Sequence, residues 1–128
     1  MKISFDMSGL DNFINGLDEV ITDIPAFNER FIEEEWMVFL HNVIPHTPED
    51  TGEMINSYQL GEITHIGTIT KADWANLVPY YTFVNNGTIF IQPRKMWEKG
   101  LHGAEANREN RFQVMFNENY EEIMLKHL

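Results

Sequence analysis

Apolar residues recur every three or four positions through the first third of the chain and every second position through its middle. The change of period falls at a turn rich in proline and glycine. Leu10, Phe13, Ile14, Leu17, Val20, Ile21 and Ile24 share one stripe of an α-helix. Ser8 suits the N-cap, because its hydroxyl can accept from a free first-turn amide, and Asp11 sits near the positive end of the helix dipole. Pro25 interrupts the stripe, since its ring clashes with the preceding turn, and Asp23 could cap a second helix starting there. That second stripe is Ile32, Trp36, Phe39, Leu40 and Val43, broadened by Phe27, Phe31 and Val38. One kinked helix and two abutting helices both satisfy the pattern. Pro45 ends it, because a residue before proline is pushed out of the α region.

Thr47-Pro48-Glu49-Asp50-Thr51-Gly52 then reads as a turn. Pro48 presets φ, Asp50 and Thr51 can bond their own backbone, and Gly52 can take positive φ. From Glu53 the alternation of Met54, Asn56, Tyr58 and Leu60 with Ile55, Ser57 and Gln59 predicts a half-buried strand. Gly61-Glu62 reverses the chain into a second strand over 63–70, and Lys71-Ala72-Asp73 turns it into a third over 74–78. Connections this short imply antiparallel pairing. Tyr80, Tyr81, Phe83 and Val84 precede the turn signal Asn85-Asn86-Gly87, and Ile89-Phe90-Ile91 fits a short fourth strand or an apolar arm. Pro93 suits a first helical turn. Met96, Trp97 and Leu101 start a stripe that resumes, past Gly100 and Gly103, with Phe112, Met115, Phe116, Tyr120, Ile123 and Met124, which favours two helices meeting near 103–107 over one long helix. The prediction is an α+β fold in one domain over 1–128. It is helical over 8–44, an antiparallel sheet of three to four strands with turns over 53–91, and helical again over 93–126.

Composition narrows what such a domain can be. A hydrophobic fraction of 43% supplies a real core. The absence of cysteine excludes disulfides and thiolate metal sites. No apolar run approaches the roughly 20 residues of a membrane helix, and Met1-Lys2-Ile3-Ser4-Phe5-Asp6 lacks the basic and apolar regions of a signal peptide, so a soluble intracellular chain is expected. The formal charge of −11 is concentrated at the front, where Asp6, Asp11, Asp18, Glu19, Asp23, Glu29, Glu33, Glu34, Glu35, Glu49 and Asp50 face only Lys2 and Arg30. Such a surface repels phosphate backbones. It reads as a solvated face, as a docking surface for a basic partner, or as the lining of a conduit that DNA passes without sticking.

Catalytic signatures are absent. No H-E-x-x-H, phosphate-cradling glycine loop or G-x-S-x-G elbow occurs, and the run Glu33-Glu34-Glu35 splays around a helix instead of converging. The best available metal set is Glu34, His41 and His46, the first two on one helix face and the third just past the helix end. Surface histidine is the commoner reading of such residues. No catalytic, cofactor-binding or metal residue is assigned. Trp36 and Trp97 lie on apolar stripes and are expected in the core. Tyr80 and Tyr81, being adjacent, should point opposite ways, leaving one as an exposed aromatic that could anchor an interface.

Two segments together resemble a known family. Thr47-Pro48-Glu49-Asp50-Thr51-Gly52-Glu53-Met54-Ile55-Asn56-Ser57-Tyr58 is similar to the T-P-x-D-T-G-x-L-x-x-S segment of the tail-completion, or head–tail joining, proteins of long-tailed bacteriophages and prophages. Tyr80-Tyr81-Thr82-Phe83-Val84-Asn85-Asn86-Gly87-Thr88 resembles that family's Y-A-x-Y-V-E-x-G-T, and Gln92-Pro93-Arg94-Lys95-Met96-Trp97 its proline-and-aromatic stretch. The resemblance spans roughly 10–125. Asn85 stands where an acidic residue is usual and Asn56 where a basic one is common, so a salt bridge between those positions would here be replaced by an amide pair.

The resemblance implies a non-enzymatic virion subunit, present in the neck or tail and in the host cytoplasm during assembly. It would form a ring with copies of itself, a hexamer by analogy with the family, and meet the connector or adaptor and the tail terminator or tail-tube proteins. Genome DNA would only pass through the lumen, and no membrane would be involved. Thr47, Pro48, Asp50, Thr51, Gly52, Tyr80, Phe83, Val84, Gly87 and Thr88 would shape the interface. The alternatives are a small metal-dependent enzyme using Glu34, His41 and His46, and an acidic regulatory protein whose helix mimics DNA.

Overall fold

The computed structural model describes residues 8–49 and 52–128. The N-terminal residues considered for a signal peptide, the capping side chain of Ser8, and the turn residues Asp50 and Thr51 lie outside the described residues.

A single helix, α1 (Ser8–Val43, 36 residues), runs unbroken through Pro25, so Asp23 does not cap a second helix. It spans about 54 Å at ~1.5 Å per residue. Proline within a helix removes one hydrogen bond and crowds the turn before it. Both Pro25 and Ile21, whose carbonyl loses its partner, lie on the exposed face, where water can take that bond. Packing on either side of the break holds the helix together. Gly16 lies against Met124, and Phe27 is buried edge-on to Phe112 and Phe116.

A 3₁₀ turn, Ile44–His46, closes the helix. In place of the expected strand start, Glu53–Asn56 forms one helical turn, α2. Gly52, at φ +70°, accepts from the Asn56 amide, and the Ser57 hydroxyl donates back to the Glu53 carbonyl. Met54 and Tyr58, both buried, are four residues apart, a spacing that fits a helical turn as well as a strand. The sheet is two nested antiparallel pairs. β1 (Tyr58–Leu60) pairs with β4 (Trp74–Asn76) in the register Tyr58↔Asn76 and Leu60↔Trp74. Between them β2 (Thr64–Ile66) and β3 (Ile69–Lys71) form a hairpin about Gly67, which takes φ +60°. The segment expected as one strand over 63–70 is therefore split by its glycine. The described residues form four strands, as two ribbons.

Tyr81–Asn86 forms a short helix, α3, where an extended segment and turn were expected. Residues Ile89–Ile91 form no strand; they make an exposed loop. The C-terminal region is two helices as expected, α4 (Met96–Glu105) and α5 (Arg108–Leu125), but α4 begins three residues after Pro93. Both run back along α1. At the crossing with α4, a β-carbon on Gly100 would lie 2.6 Å from Cβ of Val43, and one on Gly103 would collide with Oδ1 of Asn42. The two glycines that interrupt the apolar stripe are what let these helices touch.

The core gathers where α1, α4 and the β1–β4 ribbon converge: Phe39, Val43, Met54, Tyr58, Val78, Tyr81, Met96 and Ala104. Trp36 is partly buried, stacked on Phe39, but Trp97 is 38% exposed and not a core residue. Its neighbour Met96 takes the fully buried place. A second apolar contact, Phe27 and Phe31 against Phe112 and Phe116, ties α5 to the middle of α1.

Glu35, expected on a solvated face, instead locks three helices. Its carboxylate accepts from Arg111 Nε (2.7 Å), Arg111 Nη2 (2.9 Å) and Arg108 Nε (2.8 Å), while Arg111 also donates to the carbonyls of Ala104 and Ala106 at the end of α4. Burial raises the pKa of Glu35, but the hydrogen bonds from Arg111 and Arg108 outweigh it and hold the carboxyl below the ordinary carboxylate value. A folded-state pKa below the unfolded one contributes stability above the unfolded value near 4.5, and that stability is lost as pH falls through the folded pKa. Chemical denaturation from neutral pH to pH 3 should therefore show stability declining below about pH 5. Glu35→Gln should be less stable than the parent at neutral pH and should show a shallower decline. Equal slopes would mean that the Glu35 cluster is not formed.

Candidate functional site

The two motif segments meet in the core. Thr47 is the residue after the 3₁₀ turn and is buried, and its hydroxyl donates to the carbonyl of Val43 at 2.9 Å. The Thr47 oxygen lies 2.8 Å from the Tyr58 hydroxyl, which in turn lies 3.1 Å from that of Tyr81. A carbonyl can only accept, so Thr47 spends its single proton on Val43. The order of donation is then fixed: Tyr81 to Tyr58, Tyr58 to Thr47, Thr47 to Val43. Burial pushes the Tyr81 hydroxyl far above the ordinary tyrosine value, and its hydrogen bond with Tyr58 adds to the shift, so it stays a neutral donor. The rings of Tyr58 and Tyr81 meet edge to face at 5.7 Å, with Trp74 beside both. Among the described residues, no buried side-chain polar atom lacks a partner. This chain of hydroxyls fastens the end of α1 to β1 and α3.

Among the described residues, the rest of the first motif shapes the backbone. The Gly52 amide donates to the carbonyl of Glu49 at 3.0 Å, and Pro48, just before that bond, is half-buried. In the second motif, Tyr80 is exposed and Tyr81 buried, the division expected of adjacent tyrosines. The Tyr80 hydroxyl donates to Glu53 at 3.3 Å. Phe83 is exposed, while Val84 packs on the core and accepts the Arg94 amide through its carbonyl.

Asn85 is the residue whose importance sequence reading missed. It is 1% exposed. Its amide nitrogen donates to Glu98 (2.7 Å) and Asn86 (3.0 Å), its side-chain oxygen accepts the Trp97 amide, and its carbonyl accepts the Lys95 amide. Asn85 thereby holds the start of α4. The expected amide pair with Asn56 is replaced by these bonds. The signal available was only that an uncharged amide stood at a place usually acidic in the resembled family.

Gly87 and Thr88 build the next loop. Gly87 has φ +78°, and a β-carbon there would fall 2.8 Å from Pro93 and 2.9 Å from the Ile91 carbonyl. The Thr88 hydroxyl accepts from the amides of Phe90 and Ile91, both at 3.1 Å, and the Thr88 amide donates to the Ile91 carbonyl. The product is a small, well-bonded loop presenting Ile89 (92% exposed) and Phe90 (90% exposed) outward. It is the apolar arm of the two forms the sequence allowed.

At the other end of α1 a second apolar surface is open. Gly9, Asn12 and Phe13 of α1 face Tyr120, Met124, Leu125 and Leu128 across a groove of about 500 Å³. Leu10, Phe13, Ile14, Ile21 and Ile24 of the expected stripe are exposed, whereas Val20 is buried. α5 contacts α1 along Gly16, Asp23 and Phe27, roughly a quarter-turn round the helix at ~100° per residue from that stripe. The stripe lies where its period places it, but the chain's own α5 does not cover it.

Among the described residues no three histidine or acidic side chains group as a metal site, and Glu34, His41 and His46 are not brought together. Glu34 borders a cleft with Phe31, Val38 and Arg111, whereas His46 lies by Pro93 and Arg94 at the end of the helix. No helix among the described residues is long and apolar enough to cross a membrane. No family model, curated protein or solved structure matches the chain.

The hydroxyl chain makes a quantitative prediction. Tyr81→Phe leaves Tyr58 donating to Thr47 and should cost about 1 kcal/mol. Thr47→Val removes two bonds, the one Thr47 donates to Val43 and the one it accepts from Tyr58, and leaves one of the two tyrosine protons without an acceptor, so it should cost about 2–4 kcal/mol. Denaturant unfolding of the parent and the two variants measures this; a loss in Thr47→Val no larger than in Tyr81→Phe would contradict the chain of donation.

Proposed function

We propose that this protein is a structural subunit of a phage neck, a tail-completion or head–tail joining protein. It assembles with copies of itself into a ring, hexameric by the family resemblance, between connector and tail. The observation that carries the reading is the apolar surface left open at both ends of a long helix. Exposed apolar patches of this extent mark association surfaces in otherwise soluble domains. Side by side with this stands the use to which the motif residues are put. Thr47, Gly52, Val84, Gly87 and Thr88 fix the ends of helices and the shape of a loop, and none presents a reacting group to a shared point.

In a ring, the exposed acidic side chains of α1, among them Glu33 and Glu34, would keep genome phosphate from adhering where they line the lumen. Partners on the two faces would be the connector or adaptor and the tail terminator or tail-tube protein, and the site of action the virion, after assembly in the host cytoplasm.

Mass spectrometry of purified virions, joined to electron microscopy of the neck, tests the proposal. The chain should be present in ring stoichiometry at the head–tail junction, and its gene should neighbour those for capsid, connector and tail tube. Virions that lack the chain would contradict the proposal.

A further inference from the structure

The arm at residues 88–92 and the groove between α1 and α5 lie at opposite ends of the molecule. The arm sits past the C-terminal end of α1, where Ile91 to Arg94 border Pro45 and His46 and the Arg94 side chain donates to the His46 carbonyl. The groove is built on the first turns of the same helix. We propose that the chain associates head to tail, with Ile89 and Phe90 of one copy seated in the groove formed by Phe13, Tyr120, Met124, Leu125 and Leu128 of the next. The inference deepens the ring reading and rests on its premise of self-association.

Three observations carry it. The first is form. The arm is held by its own hydrogen bonds and by the close approach of Gly87 to Pro93, so it presents its two side chains at little further loss of freedom on docking. The groove, about 500 Å³ and largely apolar, is of a size to admit them.

The second is area. Taking about 200 Å² for a large apolar residue, Phe83, Ile89, Phe90 and Ile91 expose roughly 600 Å², and Leu10, Phe13, Leu125 and Leu128 roughly 500 Å². The sum, about 1,000 Å², is the lower bound of a specific interface.

The third is charge. Arg94, Lys95 and Lys99 stand beside the arm, and no ion pair engages them among the described residues. The groove carries Glu121 on its wall, and His127, also on its wall, is already bonded to Glu19. Arm to groove joins opposite charges, whereas groove to groove would juxtapose acidic rims on a chain of net charge −11. Two different surfaces at opposite ends make a heterologous contact, which closes into a ring when the rotation per step permits.

The chain has no cysteine, so engineered thiols report without background. Phe90→Cys and Leu125→Cys both alter exposed residues and should leave the fold intact, which circular dichroism checks. Mixed and mildly oxidised, the two variants should give a disulfide-linked heterodimer in strong excess over either homodimer, and the double variant should give a ladder of higher oligomers. Homodimers of Leu125→Cys alone would show groove-to-groove pairing and overturn the proposal. So would absence of any intermolecular cross-link, the result expected if residues 1–7 of the same chain fill the groove. A chain found in virions but giving no arm–groove cross-link would sink this contact and leave the neck reading standing. A cross-linked ladder from a chain absent from virions would do the reverse.

Discussion

At Gly100 the backbone of α4 comes so near to α1 that a single methyl group would collide with Val43, and the rest of the fold is arranged around that approach. With α4 pinned there and again at Gly103, the chain can only run back along α1. The core of Phe39, Val43, Met96 and Ala104 closes beneath the contact. Arg111 then binds the last carbonyls of α4 to Glu35, which sets the direction in which α5 leaves. On the other flank, the proton chain from Tyr81 through Tyr58 and Thr47 to Val43 fastens the sheet and α3 to the same stretch of helix. Close packing and directed hydrogen bonding thus converge on the C-terminal half of α1.

Long periodic segments are legible in the sequence. Period alone places the stripes of α1, α4 and α5, locates the break between the last two, and implies the α+β class. Short segments are not legible in this way. Residues Glu53–Asn56 and Tyr81–Asn86 are brief helical turns whose apolar spacing also fits a strand, and only tertiary burial of Met54 and Tyr81 decides between the two. Gly67 divides an expected strand because positive φ at one residue suffices for a hairpin. Pro25 reads locally as a break, yet α5 packs on both sides of it and outweighs the local penalty.

The candidate surface is half legible. The motif residues stand out in the sequence, and the arm is one of two forms that Ile89–Ile91 allow. Their setting is hidden, because a hydroxyl chain joining residues far apart in sequence leaves no local pattern. Asn85 looks like a departure from the resembled motif and proves to be the hub between α3 and α4. The groove is equally invisible. An apolar stripe predicts burial but not by what, and here α5 lies a quarter-turn aside.

A firmly packed middle thus carries two open apolar ends, and the proposed assembly would use both. Hydrogen–deuterium exchange on the free and assembled protein, resolved by peptide, tests this most directly. In the free chain, residues 36–47 and 96–104 should exchange slowest and residues 88–92 fast. On assembly, new protection should concentrate in residues 88–94, 9–24 and 120–128. Protection gained chiefly in the hairpin at 64–71, with the arm unchanged, would contradict the account.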